Sequence, residues 1–267
     1  MNGNLFRNKN QQPTTNNMKE AHFDYTLQLA DNALILGQRL SEWCGHGPVL
    51  EQDIALTNIA LDLMGQARSL FEYAAKFEDK GRTEDSLAFL RIEREYKNVL
   101  LVEQANEDFA YTIVRQFLFD AFHFYQVEAL LKSKDETLAA IAAKSIKEIT
   151  YHLRFSSEWM IRLGDGTEIS HHKIQEALDD LWMYTGEFFI PSTADLEMLE
   201  EGIAPDLETL KVKYYSKIDE ILKRATLSKP EAEWMQEGGK KGMHSENMGF
   251  ILAEMQYMQR AYPGLEW

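Results

Sequence analysis

Apolar residues recur at spacings of three and four along most of the chain, which is the pattern of helices that bury one face. The first such segment runs from about residue 23 to 43 and carries Leu27, Ala30 and Leu34 on one side. The same pattern predicts further long helices over about 51–77, 108–132 and 136–163. Shorter helices are predicted over about 84–101, 170–189, 206–226 and 245–260. Since no stretch alternates strictly between apolar and polar residues, the predicted fold class is all-α.

Glycine, proline and polar clusters separate these segments and predict how the helices connect. The sequence Cys-Gly-His-Gly-Pro at 44–48 ends the first helix, and Ser-Lys-Asp at 133–135 separates the third long helix from the fourth. Long helices joined by short turns lie antiparallel, so the chain predicts two antiparallel hairpins. Together they form a ferritin-like four-helix bundle with additional C-terminal helices. Residues 1–20, rich in Asn and Gln, are predicted to be a disordered leader, and residues 21–267 a single helical domain.

Composition narrows the class of protein without naming a function. A formal net charge of −15 argues against nucleic-acid binding, which needs a basic face to neutralise phosphates. No uncharged apolar run approaches the roughly 20 residues of a membrane helix, and the N-terminus lacks the apolar core of a secretory signal. The single cysteine, Cys44, excludes an internal disulfide and fits a reducing compartment. We therefore expect a soluble, cytoplasmic protein.

Three acidic residues lie where apolar helices should face their neighbours. Asp62, Asp120 and Glu148 are each flanked by large apolar residues, and a buried carboxylate is costly unless it is paired, hydrogen-bonded or bound to metal. With the second turn centred on Lys134, Asp120 and Glu148 each lie 14 residues from it and are predicted to face each other. With the first turn centred at residue 47, Asp62 is predicted to lie level with Asn32.

The spacing of these acids matches a di-iron site that has lost its histidines. In di-iron carboxylate bundles, one helix of each pair gives a Glu and the other gives Glu-x-x-His. A weak internal repeat aligns residues 62–68 with 148–154, acid over acid and arginine over arginine. The corresponding positions are occupied by Asn32, Asp62, Gly65, Asp120, Glu148 and Tyr151. Because neither histidine position holds a histidine, the sequence predicts a vestigial site with no bound metal and no catalytic residue.

Alternatives remain open for the same residues. A displaced metal site, and with it a di-iron oxygenase activity, could be assembled from Asp120, His123, Glu148 and His152. A stand-alone ferritin-like storage shell would lack the same ligands. The favoured interpretation is structural, with the three acids forming ion pairs to Arg68, Arg154 or Arg115. If the acids instead cluster without partners, mutual repulsion should raise the pKa of at least one of them.

Four long segments carry a resemblance to a known family. They are LGQRLSEWCGHGPVLEQDIALTNIALDLMGQARSL, LLVEQANEDFAYTIVRQF, AAKSIKEITYHLRFSSEWMIRLGDGT and GGKKGMHSENMGFILAEMQYMQRAYPG. On these segments the chain resembles the C subunits of bacterial ring-1,2-phenylacetyl-CoA epoxidases, multicomponent oxygenases of phenylacetate degradation. The resemblance covers about residues 22 to 267 and leaves only the leader outside.

The resemblance implies a ferritin-like fold and a non-catalytic, structural role beside a homologous catalytic A subunit. In that family the A subunit holds the di-iron centre and binds phenylacetyl-CoA, so no cofactor is implied in this chain. Other components implied are a small B subunit and a flavin and iron–sulfur reductase that uses NADPH. The residues leave open whether the chain also pairs with a second copy. We expect the apolar faces of the first and third long helices to contact the A subunit.

One further segment combines glycines and lysines, a composition that is compatible with a binding site. GGKKGMHSE at 238–246 could meet a CoA phosphate or an acidic partner surface. The favoured alternative is a loop with solvated Lys240 and Lys241, followed by a helix that Ser245 caps. We interpret the loop histidines, His46 and His244, as hydrogen-bonding residues and not as metal ligands.

Overall fold

The computed structural model describes residues 15–78, 80–231 and 234–265, and only the backbone of residues 15 and 16. All regular structure in these ranges is helical, which confirms the all-α prediction. In chain order the helices are α1 (Thr15–Ser41), α2 (Leu50–Ala74), α3 (Glu84–Phe89), α4 (Phe109–Leu130), α5 (Glu136–Gly164), α6 (Glu168–Leu181), α7 (Thr193–Glu200), α8 (Leu207–Arg224), α9 (Glu246–Met255) and α10 (Tyr257–Ala261). No helix in these ranges is long and apolar enough to span a bilayer.

The four long helices form the predicted pair of hairpins around one core. Helix α1 packs along α2, α4 packs along α5, and α2 also touches α5. Leu29 of α1, Leu70 of α2, His123 of α4 and Leu138 of α5 all line one small internal cavity, so the four helices enclose a common interior. The ferritin-like four-helix bundle is therefore confirmed. Helices α6 and α8 pack against α4, and α7 packs against α1.

Polar caps fix where the bundle helices begin. The Asp108 carboxylate accepts hydrogen bonds from the backbone N–H groups of Ala110 and Tyr111 and so starts α4. Asp135 caps α5 in the same way, through the N–H of Leu138 at 2.8 Å. The turn between α4 and α5 is thereby held to five residues, 131–135, which makes an antiparallel hairpin unavoidable.

Helices α1 and α4 are buried on nearly every side by the chain itself. Almost all residues of α4 between Ala110 and Gln126 are inaccessible, and α1 is covered from Tyr25 to Leu40. Helix α7 and the turn Leu100–Glu103 pack over α1, while α6 and α8 cover α4. The expectation that these two faces contact the A subunit is therefore wrong, because no partner can reach them.

The structure also corrects several predicted boundaries. Helix α1 begins at Thr15, so residues 15–20 are helical and do not belong to a disordered leader; residues 1–14 lie outside the described chain. The helix predicted over 84–101 ends at Phe89, and two short 3₁₀ turns, Glu93–Glu95 and Leu100–Glu103, follow. This segment gives up helical hydrogen bonds for contacts with α1: the N–H of Lys97 donates to Asp31 and that of Val99 to Asn32.

Helix α7 was missed, and the predicted helices over 170–189 and 245–260 are each interrupted. Helix α6 ends at Leu181, where 3₁₀ turns continue to Phe189, and the C-terminal helix divides into α9 and α10. Helix α7 does have a sequence signal: Ser192 and Asp195 form a reciprocal capping box directly after Pro191.

Candidate functional site

Two of the three acids lie together in the groove between α2 and α5. The Asp62 carboxylate is 3.0 Å from Nε2 of His152, and a third of the Asp62 side chain is exposed while His152 is buried. Glu148 lies close enough to Asp62 to feel its charge; partial burial, then this repulsion, raises the Glu148 pKa. The result is a polar cluster that opens to the surface between the two helices.

Asp120 lies deeper, and neutral groups satisfy it. Its two carboxylate oxygens accept hydrogen bonds from Nε2 of Gln116 and Oγ of Ser156, both at 2.7 Å. Complete burial raises the pKa of Asp120 to about 6, although His152 and these two donors favour the charged form. The condition set for a repulsive cluster is not met, because Asp62 and Asp120 have partners. Burial is the main cause of the raised pKa of both Asp120 and Glu148, and repulsion contributes only to Glu148.

His123 lies beside this cluster with one ring nitrogen unused. It borders an internal cavity of about 30 Å³, large enough for one water molecule, together with Gln66. Its Nδ1 has no hydrogen-bond partner among the described residues. Burial, then the nearby His152, lowers the pKa of His123 to about 3, so the imidazole is neutral at physiological pH.

Counting residues from the turns misjudged which residues face each other. Asp120 reaches Ser156, eight positions beyond Glu148. On the first hairpin, Gly37 lies against Ala60, Leu63 and Met64, so Asn32 is not level with Asp62. The Asn32 side chain accepts instead from the N–H of Val99 at 2.8 Å. Residue counting assumes parallel, level axes, whereas packed helices cross at an angle and are staggered.

The two positions where histidines are missing lie on the outer side of the groove. Gly65 and Tyr151 are both exposed, and a Cβ added to Gly65 would meet no atom within 4 Å. The residues one step further, Gln66 and His152, are the ones that point inward. At about 100° per residue, the third and fourth residues after an acid lie on opposite sides of it, and here the fourth faces the core.

A pair of irons does not fit the residues present. Each iron of such a site needs anionic oxygens and an imidazole, whereas Asp62 already binds His152 and Asp120 binds Gln116 and Ser156. Within the described chain, no three or more His, Cys, Asp or Glu side chains are grouped so as to hold a metal. The alternative set of Asp120, His123, Glu148 and His152 is therefore not assembled into such a group.

The three arginines proposed as partners of the acids bind elsewhere, so that prediction is wrong. Arg68 pairs with Glu72 at 3.0 Å on the surface, and Arg154 lies over the ring of Tyr151. Arg115 is fully buried and donates to the carbonyl of Gln104 and the side chain of Asn106. Burial, together with Arg39, lowers the pKa of Arg115 to about 9. Histidine, glutamine and serine take the role that was expected of arginine.

The GGKKG loop connects two segments of the chain through hydrogen bonds. The Lys240 side chain is only 10% exposed and donates to the carbonyl of Ile190 at 3.0 Å and to Asp195 at 3.2 Å, so its ammonium group binds the chain itself and the prediction of a solvated lysine is wrong. Lys241 is exposed, as predicted. Ser245 occupies the N-cap of α9, but its side chain makes no capping bond. The loop therefore ties the C-terminal segment to the segment that precedes α7.

The glycines of this loop are required by close packing, which yields a prediction. A Cβ on Gly239 would lie 2.1 Å from the carbonyl oxygen of Asn98. We expect Gly239→Ala to lower the free energy of unfolding by about 1–3 kcal/mol, as overpacking does. Gly249→Ala is the matched control, because a Cβ there meets no atom within 4 Å and alanine favours a helix. Equal urea midpoints for the two variants would contradict the steric argument.

A buried ion pair holds the start of α9. Nδ1 of His244 is 2.9 Å from the Glu103 carboxylate, and Nε2 is 3.1 Å from the carbonyl oxygen of Tyr96. Both partners are acceptors, so both ring nitrogens must carry protons and the ring is an imidazolium. Burial opposes this charge, but Glu103, the Tyr96 carbonyl and Asp31 together outweigh burial and raise the pKa of His244. His244 is thus a hydrogen-bonding residue, as predicted, although the sequence does not identify its partner.

Comparison with known proteins agrees with the fold and with the resemblance. Residues 5–267 match the family described as "Phenylacetic acid catabolic protein". A protein of Escherichia coli (strain K12), named as the C subunit of 1,2-phenylacetyl-CoA epoxidase, is 51% identical over 243 residues, which cover 91% of this chain and 98% of that protein. Because both matches extend over nearly the full length of the chain, the chain belongs to the phenylacetic acid catabolic protein family.

Proposed function

We propose that this chain is a non-catalytic structural subunit of a multicomponent 1,2-phenylacetyl-CoA epoxidase, in which it supports a di-iron catalytic A subunit. The proposal rests on the surroundings of the acids that would otherwise bind iron. Protein side chains bind Asp62 and Asp120, and the positions that would supply histidines hold Gly65 and Tyr151. The E. coli relative, which is named as the C subunit of such an epoxidase, supports a place in an assembly of that kind.

The remaining polar cluster has a structural use. A buried polar network whose members are satisfied makes a core rigid and specific. Here Asp120 joins α4 to α5 through Ser156, and Asp62 joins α2 to α5 through His152. Such a bundle can present a fixed surface to a partner without doing chemistry. A cytoplasmic location accords with the free cysteine, Cys44, since disulfides are rare in the cytosol.

Metal loading tests the proposal directly. The purified chain is incubated anaerobically with Fe(II), exposed to oxygen and desalted, and the A subunit is treated in parallel as a positive control. We expect iron well below stoichiometric amounts in this chain and no absorption band of an oxo-bridged pair. A stoichiometric pair of irons in this chain, with that band, would instead favour the alternative of a second oxygenase.

A turnover measurement distinguishes a structural role of this chain from a catalytic one. The complex reconstituted without this chain should lose epoxidation of phenylacetyl-CoA. The complex reconstituted with Asp120→Asn should keep it, provided that the variant folds by circular dichroism. Because asparagine retains the shape and one acceptor oxygen of Asp120 but cannot serve as an anionic iron ligand, a folded variant that abolishes turnover would overturn the structural role.

A further inference from the structure

The outer face of α2 carries a stripe of large apolar side chains. Leu50, Ile54 and Leu61 are 71%, 50% and 64% exposed. At about 100° per residue, these three positions lie within about 40° of one another around the helix. Scattered exposed apolar residues are ordinary, but three large ones aligned on the same face of one helix are typical of a surface that another protein covers.

Gly65 extends this stripe by one turn and has no explanation within the chain. It lies in the helix interior, where glycine costs about 0.5–1 kcal/mol relative to alanine. It does not have the positive φ that would require glycine, and no described atom lies within 4 Å of a Cβ placed there. A residue without a side chain on an exposed helix face leaves room for a partner helix to approach closely.

Two carboxylates without an arginine or lysine partner among the described residues, Asp62 and Glu148, border the stripe. Asp62 and Glu148 repel each other at the mouth of the groove, and no Lys or Arg of the described chain lies within 4 Å of either. Within the described chain, the groups that act against the rise in the Glu148 pKa are His152, the Gln66 side chain and Lys144. Arg68 and Arg154 lie nearby on the same helices, but Arg68 pairs with Glu72 and Arg154 lies over Tyr151. A cationic side chain brought from outside would relieve this repulsion.

We propose that the stripe of Leu50, Ile54, Leu61 and Gly65 is where the catalytic A subunit docks, with a helix that brings apolar side chains to the stripe and a Lys or Arg to Asp62 and Glu148. This inference rests on the proposed function, which supplies the partner. A second copy of this chain fits less well. A two-fold contact places the same patch on both sides of the interface, so it would bring two acidic pairs together in chains of net charge −15.

The test measures the affinity of the full chain for the purified A subunit. Leu61→Asp and Ile54→Asp should each weaken binding by about tenfold or more, because they place a charge in the apolar centre of the interface. The matched control is Val212→Asp, since Val212 is 73% exposed on α8 and its replacement should leave the affinity unchanged. All three side chains are exposed, so circular dichroism and thermal midpoints should match the wild type.

An electrostatic variant tests the second part of the interface. Glu148→Gln combined with Asp62→Asn should weaken binding several-fold and reduce its dependence on salt, because the incoming cation loses its partner. Binding of the Leu61→Asp and Ile54→Asp variants with wild-type affinity would overturn the docking site and leave the proposed function intact. Failure of the wild type to bind the A subunit would overturn the proposed function itself. A wild-type dimer that Leu61→Asp dissociates would assign the stripe to a second copy and overturn the docking proposal.

Discussion

Replacement of Arg91 by alanine is expected to lower the free energy of unfolding by about 3–5 kcal/mol, the largest effect of any single substitution that we predict. Arg91 and Asp31 are both buried, with 1% and 0% of their side chains exposed. Nη1 of Arg91 lies 3.0 Å from one Asp31 oxygen, and Nη2 donates to the other, so the pair is bidentate. Removal of the guanidinium leaves a carboxylate in the core with no compensating charge.

The expected loss of unfolding free energy is large because Arg91 also contacts the chain segment that follows α3. It donates to the carbonyl of Glu95 at 2.8 Å, and its guanidinium lies 4.0 Å from the ring centroid of Tyr96. Burial works against the charge of Arg91, but Asp31, Tyr96 and Glu95 together outweigh burial and raise the pKa of Arg91 above its ordinary value. The segment between α3 and α4 is thus fastened to the middle of α1 by a group that stays charged.

Urea unfolding followed by circular dichroism measures the effect. Arg68→Ala is the matched control, because Arg68 forms a surface pair with Glu72 in which the arginine side chain is 70% exposed. Such pairs contribute about 0–1 kcal/mol, so the control should unfold close to the wild type. A combined Asp31→Leu and Arg91→Met variant should lose less than Arg91→Ala, since no charge then stays buried alone. Equal midpoints for Arg91→Ala and Arg68→Ala would show that the ion pair does not fasten this segment.

The bundle could be predicted from the sequence because its signals are local. Periodicity over twenty or more residues identifies α1, α2, α4 and α5, and short polar turns require neighbouring helices to be antiparallel. Asp62, Asp120 and Glu148 were identified because each interrupts an apolar run, and all three do lie in or beside the core. Their partners were not identified, since the stagger of crossing helices is set by side-chain packing that residue counting ignores.

The segment between α3 and α4 could not be predicted, because contacts far apart in the chain determine it. Asp31 interrupts an apolar run as Asp120 does, so its burial had a signal, but Arg91 lies 60 residues away and was not identifiable as its partner. The prediction that α1 and α4 contact the A subunit was wrong for a related reason. A helix that is apolar on all sides must be buried, yet the pattern cannot tell whether a partner or the chain's own later helices bury it.

The second large effect is expected at Glu103, where Glu103→Gln should lower the free energy of unfolding by about 3 kcal/mol near neutral pH. Glu103 has no exposed surface and accepts hydrogen bonds from His244, from the side chain of Asn98 and from the N–H of Ser245. Glutamine keeps the shape but removes the charge, so His244 must either lose its proton or remain as an unpaired buried cation. In either case the attachment of α9 to the Leu100–Glu103 turn is weakened.

The dependence on pH distinguishes loss of this ion pair from simple loss of packing. The pKa of His244 is raised in the folded protein above its ordinary value of 6.5. The ion pair therefore stabilises the fold fully below pH 6.5, and this contribution is lost as the pH rises through the folded pKa. His123, whose pKa is about 3, titrates well below this range, whereas Asp120, whose pKa is about 6, is still losing protons near pH 6.5. Asp120 is present in both the wild type and Glu103→Gln, so its contribution cancels when the two curves are compared.

Unfolding free energies measured from about pH 6.5 to 9 should therefore fall for the wild type and stay flatter for Glu103→Gln, so that the two curves converge at high pH. His172→Gln is the control, because the His172 side chain is 81% exposed and its replacement should leave the slope of the wild type unchanged. Parallel curves for wild type and Glu103→Gln would mean that His244 is neutral in the fold. A neutral imidazole carries one ring proton, so it could donate to either the Glu103 carboxylate or the Tyr96 carbonyl, but not to both.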